Sequence, residues 1–242
     1  MAAQRRAMHD PRDLHPQFRE LLLLGTDEVG TGSIAGPVVA AACVVSPFDP
    51  FIQAFINDSK KVPRKHRTEI ADEIKACATV YRIETISQQQ VELHGPRKAA
   101  NRAMAQAVNA CRILLDQRVP RHRRVLVVVD GGFVLDINAG VEQICVTKAD
   151  QKFLSVAAAS ILAKDHRDRL MAEQGKTFPQ YLFEKNAGYG TEEHTAAIHE
   201  YGMCPLHRTS MALSALRKWE ERHHRPSRTS LRRGGLPGNR LG

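Results

Sequence analysis

Residues 21–45 read LLLLGTDEVGTGSIAGPVVAAACVV, and this stretch decides the fold. Four leucines run into Gly25-Thr26-Asp27-Glu28-Val29, which predicts a buried strand over 21–29 that ends in two acids and a glycine-rich turn. Pro37 to Val45 predicts a second apolar strand, with Pro37 tolerated at its first position. Further along, residues 57–61 form a polar loop, and Pro63 suits an early helical position. Ile70, Ile74 and Cys77 then recur at helical spacing through Ala78. Thr79 to Ile86 alternates as a strand does, and Gly95-Pro96 interrupts the next helical stretch. The main helix there is predicted from about Arg97 to Gln117, with Met104, Val108, Cys111 and Leu115 as its apolar stripe.

Val125 to Val129 is an unbroken apolar run, the pattern of a central strand covered on both faces, and it ends in Asp130-Gly131-Gly132. A short strand over Ile144–Thr147, a long helix from about Gln151 to Glu173, and helices near 192–201 and 210–223 complete the map. Between them, 175–190 is rich in turn residues and aromatics. The pattern predicts an α/β fold, a mixed central sheet flanked by helices, with a small helical C-terminal subdomain. The expected organisation is an N-terminal extension over 1–20, a core over 21–174, the subdomain over 175–222 and a basic disordered tail over 223–242.

Composition narrows the function class. With 43% hydrophobic and 25% charged residues, the 242-residue chain is globular in character, not a disordered polyelectrolyte. No apolar run approaches a membrane span, and the N-terminus has no apolar signal region, so a cytoplasmic protein is expected. Five cysteines without a CxxC pair argue against both a disulfide framework and structural zinc. The net charge of +9 is mostly a tail property, because six arginines and no acids lie between Arg222 and Gly242. Such a tail is expected to add sequence-independent phosphate contacts.

The turn after the first strand fails as a nucleotide loop. A Walker A loop needs lysine where Thr31 stands, and a dinucleotide fingerprint must open a helix, whereas Gly30-Thr31-Gly32 leads to Pro37 and a strand. The acids are more informative. Asp27, Glu28 and Asp130 lie at strand ends, where α/β proteins open a crevice for ligands. Asp165 and Asp168 share one face of the long helix, where Lys164 and Arg167 are expected to neutralise them in solvent. Two carboxylates 4 Å apart repel by about 4 kcal/mol at an effective dielectric near 20. A cluster of them is tolerable only around divalent cations, and all-oxygen donors suit Mg²⁺ or Mn²⁺. Two such ions ~3.5–4 Å apart serve phosphoryl transfer.

The blocks GTDEVGTGSIAGPVVAAACVV, NDSKKVPRKHR, VVVDGG, TKADQKFLSVAAASILAKDHRDRLM and KNAGYGTEEHTAAIHEYGMCPLHRTS make the chain resemble the ribonuclease HII family over roughly residues 22–217. The resemblance implies an RNase H-like fold and an endoribonuclease that cuts the RNA strand of RNA–DNA hybrids and 5′ of ribonucleotides embedded in duplex DNA. It implies Asp27, Glu28, Asp130 and Asp168 as catalytic acids and as ligands of a two-metal Mg²⁺ or Mn²⁺ site. Water then attacks the phosphorus, leaving a 5′-phosphate and a 3′-hydroxyl. It places Gly30, Thr31 and Gly32 at the substrate backbone, Tyr189 against a sugar, and Lys60, Lys61 and Lys148 near phosphates. A monomer acting on hybrid and DNA–RNA–DNA duplexes, away from membranes, is the expectation.

The family's loop is usually Gly-Arg-Gly, so Thr31 is expected to alter junction selectivity. Val29 and Gly132 depart from the usual alanine and asparagine. His194 reads as a helix-surface residue, and His207-Arg208 as the start of the last helix. The rival reading is a weakened or non-catalytic nucleic-acid binder of the same fold; a dinucleotide-dependent oxidoreductase is a distant third.

Overall fold

Val38–Val44 is buried along its whole length, so both of its faces must be covered. Its even-numbered residues join Leu24, Val127 and Val129 beneath one layer of helix, while Val39, Ala41 and Cys43 join Ala157–Ala163 beneath another. A sheet sandwiched between helical layers follows from that two-sided burial. The computed structural model describes residues 21–46, 49–55, 64–118, 124–132, 134–138 and 140–223. Lys60, Lys61, Pro63, the loop over 57–61, the N-terminal extension and the tail beyond 223 lie outside the described residues.

In chain order the elements are β1 (Leu22–Val29), β2 (Val38–Val44), α1 (Pro50–Phe55), α2 (Arg64–Cys77), β3 (Val80–Ile86), α3 (Gln88–His94), α4 (Pro96–Arg118), β4 (Val125–Asp130) and β5 (Glu142–Val146). A single 3₁₀ turn, Ala149–Gln151, leads into α5 (Leu154–Thr177). A second, Pro179–Tyr181, precedes α6 (Phe183–Asn186), α7 (Glu192–Tyr201) and α8 (Thr209–His223). The sheet order is β3-β2-β1-β4-β5, with β1 antiparallel to β2, β2 antiparallel to β3, and β1, β4 and β5 parallel. This is the expected mixed sheet. β1 holds its centre; β4, read as central from its apolar run, is interior but one strand from the edge.

Two differences from the sequence reading have local causes. The long helix begins at Leu154 because Lys148, in left-handed conformation, starts the 3₁₀ turn that absorbs Ala149–Gln151. It continues past Gly175, and a Cβ there would lie 2.9 Å from Glu184 Oε2, so close packing explains that helical glycine. α5 rides close over β1 at Gly25, where a Cβ would fall 2.3 Å from the Ser155 carbonyl carbon. The α7–α8 end has its own apolar cluster, in which Tyr181, Phe183, Ile198 and Ala212 meet Ile34, Ala35 and Met171 of the main body. No described helix is long and apolar enough to cross a membrane, and all five cysteines are free thiols.

Candidate active site

Strand register gathers the first carboxylates. Thr26 pairs with Val129 in parallel, so the next residues, Asp27 and Asp130, lie at one level, with Asp130 closing β4 and Asp27 two residues before the end of β1. Asp27 is buried under α5, bonded to Ser160 of that helix, and its Oδ1 accepts the Glu28 amide at 2.8 Å. Asp130 Oδ1 accepts the Ala149 amide at 2.6 Å, which ties the tip of β4 to the 3₁₀ turn. Burial first, then the charges of Glu28 and Asp130, push the Asp27 carboxyl up to about 7. Burial and Asp130 raise Glu28 as well. Neither shift has a basic side chain among its causes. Among the described residues, the three acids form an electrostatic unit to which no basic side chain contributes.

A carboxyl whose folded pKa exceeds its unfolded one holds a proton that the unfolded chain has already released. Wild-type stability therefore falls as pH rises from about 4, and the loss is complete above the folded value of about 7. Asp27→Asn is expected to raise the urea midpoint at pH 8 in the presence of a chelator, with a ceiling of ~4 kcal/mol, and to do little at pH 4. Equal midpoint shifts at both pH values would show that Asp27 is not a strained acid.

Asp168 is not among the charges that shift Asp27 or Glu28. It lies on the Ser160–Lys164–Asp168 stripe of α5, two turns beyond Ser160, and two cations hold it: Arg67 Nη1 at 2.7 Å and Lys164 Nζ at 3.1 Å. Asp165 is likewise committed, accepting from Thr68 Oγ1 at 2.7 Å and from Arg169 Nε at 3.0 Å. The acid passed over in sequence is Asp150, buried in the 3₁₀ turn whose Ala149 amide binds Asp130. The sequence carries its signal, an acid directly behind the last strand, but an expected helix start beside it hides the turn. Among the described residues, no three Asp, Glu, His or Cys side chains form a group able to hold a metal ion. The donor chemistry of Asp27, Glu28 and Asp130 nevertheless fits a hard cation: carboxylate oxygens only, with mutual repulsion to relieve.

Two buried arginines build the neighbouring turn. Arg167, expected in solvent beside Asp168, is fully buried and donates to Pro37 O (2.9 Å), Ala187 O (2.7 Å) and Ala35 O (3.1 Å). Those carbonyls need a planar fork of donors at that depth, which is why the helix turns this arginine inward. Gly30, at φ 92°, is glycine for the same reason: a Cβ would sit 2.2 Å from Arg167 Nε. Arg208, also fully buried and ahead of α8 instead of within it, donates to Ser33 O (2.8 Å), Gly36 O (2.9 Å) and Thr31 O (3.3 Å). Because the Thr31 carbonyl faces Arg208, the Gly32 amide on the opposite edge of that planar unit faces outward. Gly32 itself is exposed, with no atom near its missing Cβ.

Tyr189 is not a core tyrosine. The residue is 36% exposed, with Lys164 Nζ 5.7 Å and the Arg167 guanidinium 5.5 Å from its ring centroid. The 186–190 turn that carries it is laced to the Thr31 side, since Ile34 and Ala35 both donate to Gly188 O, at 2.9 and 3.1 Å. Lys148 is exposed directly ahead of the Ala149 amide that Asp130 accepts. His194, read as a surface residue, is fully buried and meets His207 at 3.0 Å. Burial of a histidine on a short polar helix has no periodic signature, so its sequence neighbours concealed it.

The sequence profile of the family described as Ribonuclease HII matches residues 24–214. A ribonuclease HII from Caldanaerobacter subterraneus subsp. tengcongensis is 40% identical over 186 residues, spanning 77% of this chain and 72% of the relative. One from Chlorobium luteolum is 38% identical over 200 residues, spanning 81% and 91%. Among solved structures, the ribonuclease H2 from Pyrococcus horikoshii OT3 matches with a TM-score of 0.65 at 22% identity, over 85% of this chain and 100% of that one. Bst-RNase HIII in complex with Mn²⁺ matches with a TM-score of 0.59 at 23% identity, over 90% and 77%. These likenesses establish an RNase H-like fold. With sequence identity sustained from the first strand into the last helix, the chain belongs to the ribonuclease HII family.

Proposed function

We propose that the chain is a divalent-metal-dependent endoribonuclease that hydrolyses the RNA strand of RNA–DNA hybrids and cuts 5′ of ribonucleotides embedded in duplex DNA. The observation that carries this reading is the uncompensated acid unit at the ends of β1 and β4, in a chain of this family. Asp27, Glu28 and Asp130 are the residues that would hold the ions. For the fourth carboxylate, Asp150 is better supported than Asp168, whose charge Arg67 and Lys164 already answer. Two Mg²⁺ or Mn²⁺ ions bound there would supply charge stabilisation and water activation for phosphodiester hydrolysis.

The chain's own residues do the rest. The Gly32 amide and the Gly30–Gly32 turn, exposed at Gly32, meet the sugar–phosphate backbone, where the 2′-hydroxyl distinguishes RNA from DNA. Tyr189, with its ring beside two cations, packs on a sugar, and Lys148 approaches a phosphate. Lys60 and Lys61 are assigned phosphate contacts by family resemblance alone.

Cleavage of a labelled duplex carrying one ribonucleotide, beside a full hybrid, tests the reading in Mg²⁺, in Mn²⁺ and with chelator. Ion-dependent cutting that leaves a 5′-phosphate is expected; binding without cutting would make the chain a non-catalytic binder. In the same assay Thr31→Arg is expected to raise activity on the single ribonucleotide by roughly tenfold or more, as one added charged hydrogen bond contributes ~1.5–3 kcal/mol. The gain on the long hybrid should be smaller. Equal gains on both substrates, or none, would remove Thr31 from junction reading.

A further inference from the structure

His207 and His194 lie outside the acid unit, yet their hydrogen bonds run in one direction toward Tyr189. A carbonyl oxygen can only accept, so the contact between His194 Nδ1 and Tyr189 O at 2.8 Å requires the proton on Nδ1. In a neutral ring that leaves His194 Nε2 as an acceptor. It lies 3.0 Å from His207 Nε2, which must then donate. His207 Nδ1 is left to accept, and it faces the Cys204 amide at 2.9 Å. The Cys204 carbonyl, 3.2 Å from the same nitrogen, takes the His207 backbone amide at 3.0 Å instead. Each tautomer follows from the one before.

The surroundings favour neutral rings. Burial, and then the neighbouring His194, push His207 down to about 4, and burial lowers His194 too. Tyr181 and Phe183 pack edge-on against the pair, with ring centroids 4.8 Å from His207 and 5.4 Å from His194 respectively. The next residue, Arg208, grips the Thr31 and Ser33 carbonyls. One dipeptide thus reaches both the exposed turn and the exposed tyrosine.

We propose that His207 and His194 form a neutral hydrogen-bond relay that positions Tyr189 across the substrate cleft from the Thr31 turn, which Arg208 holds. The inference rests on the nuclease reading for what Tyr189 touches, not for the relay itself. His207 and His194 are positioning residues, since neither is exposed enough to meet substrate.

The test uses the full chain. Two-bond ¹H–¹⁵N correlation at pH 7 is expected to show His207 protonated on Nε2 and His194 on Nδ1; any other tautomer pair, or an imidazolium, overturns the relay. His207→Phe keeps the ring volume but loses the donor, whereas His207→Gln can still offer an amide N–H to His194. Amide exchange at Tyr189 and Thr191 is expected to quicken by about tenfold in the Phe variant and to return toward wild type in the Gln variant. With a duplex carrying one ribonucleotide, the Phe variant should raise KM by about fivefold or more with kcat little changed, and Gln should restore it. Unchanged exchange, or a fall in kcat and thermal midpoint without a KM shift, reduces the pair to packing and overturns the proposal. Should His207→Phe fail to fold, His194→Asn, which keeps a donor for Tyr189 but is too short to place an acceptor at the Nε2 position that meets His207, is expected to quicken the same amides, and unchanged rates there overturn the relay. Absence of cleavage by the unsubstituted chain is a failure of the nuclease reading alone, and the exchange rates then decide the relay.

Discussion

Asp130→Asn and Asp150→Asn each lower kcat on a single-ribonucleotide duplex by about a hundredfold or more, while Asp168→Asn costs less than about tenfold. The contrast follows from where each carboxylate sits: Asp130 at the tip of β4, Asp150 in the turn bonded to it, and Asp168 between two cations on α5. Asp130 raises the pKa values of Asp27 and Glu28, and its own Oδ1 is fixed by the Ala149 amide one residue from Asp150. Removing a negative charge from that unit weakens its hold on a divalent cation. Asp168 sits in an ion pair with Arg67 and another with Lys164, so its replacement mainly leaves two cations without a partner. That loss should appear as reduced stability, ~1–3 kcal/mol for a partly buried pair, not as lost turnover. If Asp168→Asn proves as inactive as Asp130→Asn while Asp150→Asn turns over normally, the fourth carboxylate is Asp168 and its cationic partners must move during the reaction.

Arg167→Lys should destabilise the protein by ~3–5 kcal/mol, because a single ammonium nitrogen, despite its three N–H groups, cannot reach three carbonyls arranged around a planar fork of separate nitrogens, and each unserved one costs ~1–3 kcal/mol. The affected oxygens belong to Ala35, Pro37 and Ala187, so the damage falls on the Thr31 turn and the Tyr189 turn together. Cleavage at a single ribonucleotide should drop with it at temperatures where the variant remains folded. Denaturant unfolding distinguishes this from the solvent-exposed neutraliser that the sequence suggested, whose loss would cost at most ~1 kcal/mol. A midpoint shift of that smaller size would mean that the turn is held by other bonds.

The strands were legible because burial writes a strong pattern. VVAAACVV and VLVVV admit no exposed face, and both became interior strands within a residue or two of their expected ends. α4 announced itself through Met104, Val108, Cys111 and Leu115, all of which are buried. The acids at the tips of β1 and β4 were equally readable, since an Asp behind an apolar run has few other uses. The turn before α5 was harder: Lys148 adopts a left-handed backbone, and no composition signal separates a 3₁₀ turn there from an early helix start.

Charged and polar residues on helices carry the weakest positional signal. Asp165, Arg167 and Asp168 are all buried, although a charged run on a helix ordinarily faces water. Which of them meets a carbonyl or another charge depends on what α2, the Thr31 side and the 186–190 turn bring alongside, and the partners they supply lie 20 to 132 positions away in the chain. Sequence alone determined the sheet, the family and the three strand-end acids, because apolar periodicity and strand termini are local properties. Only the tertiary structure decided that Arg167, Arg208, His194 and His207 are interior scaffolding, that Asp150 is buried in the turn whose Ala149 amide Asp130 accepts, and that Asp168 is paired with Arg67 and Lys164. The partner that makes burying a polar side chain tolerable comes from elsewhere in the chain, and folding alone puts it there.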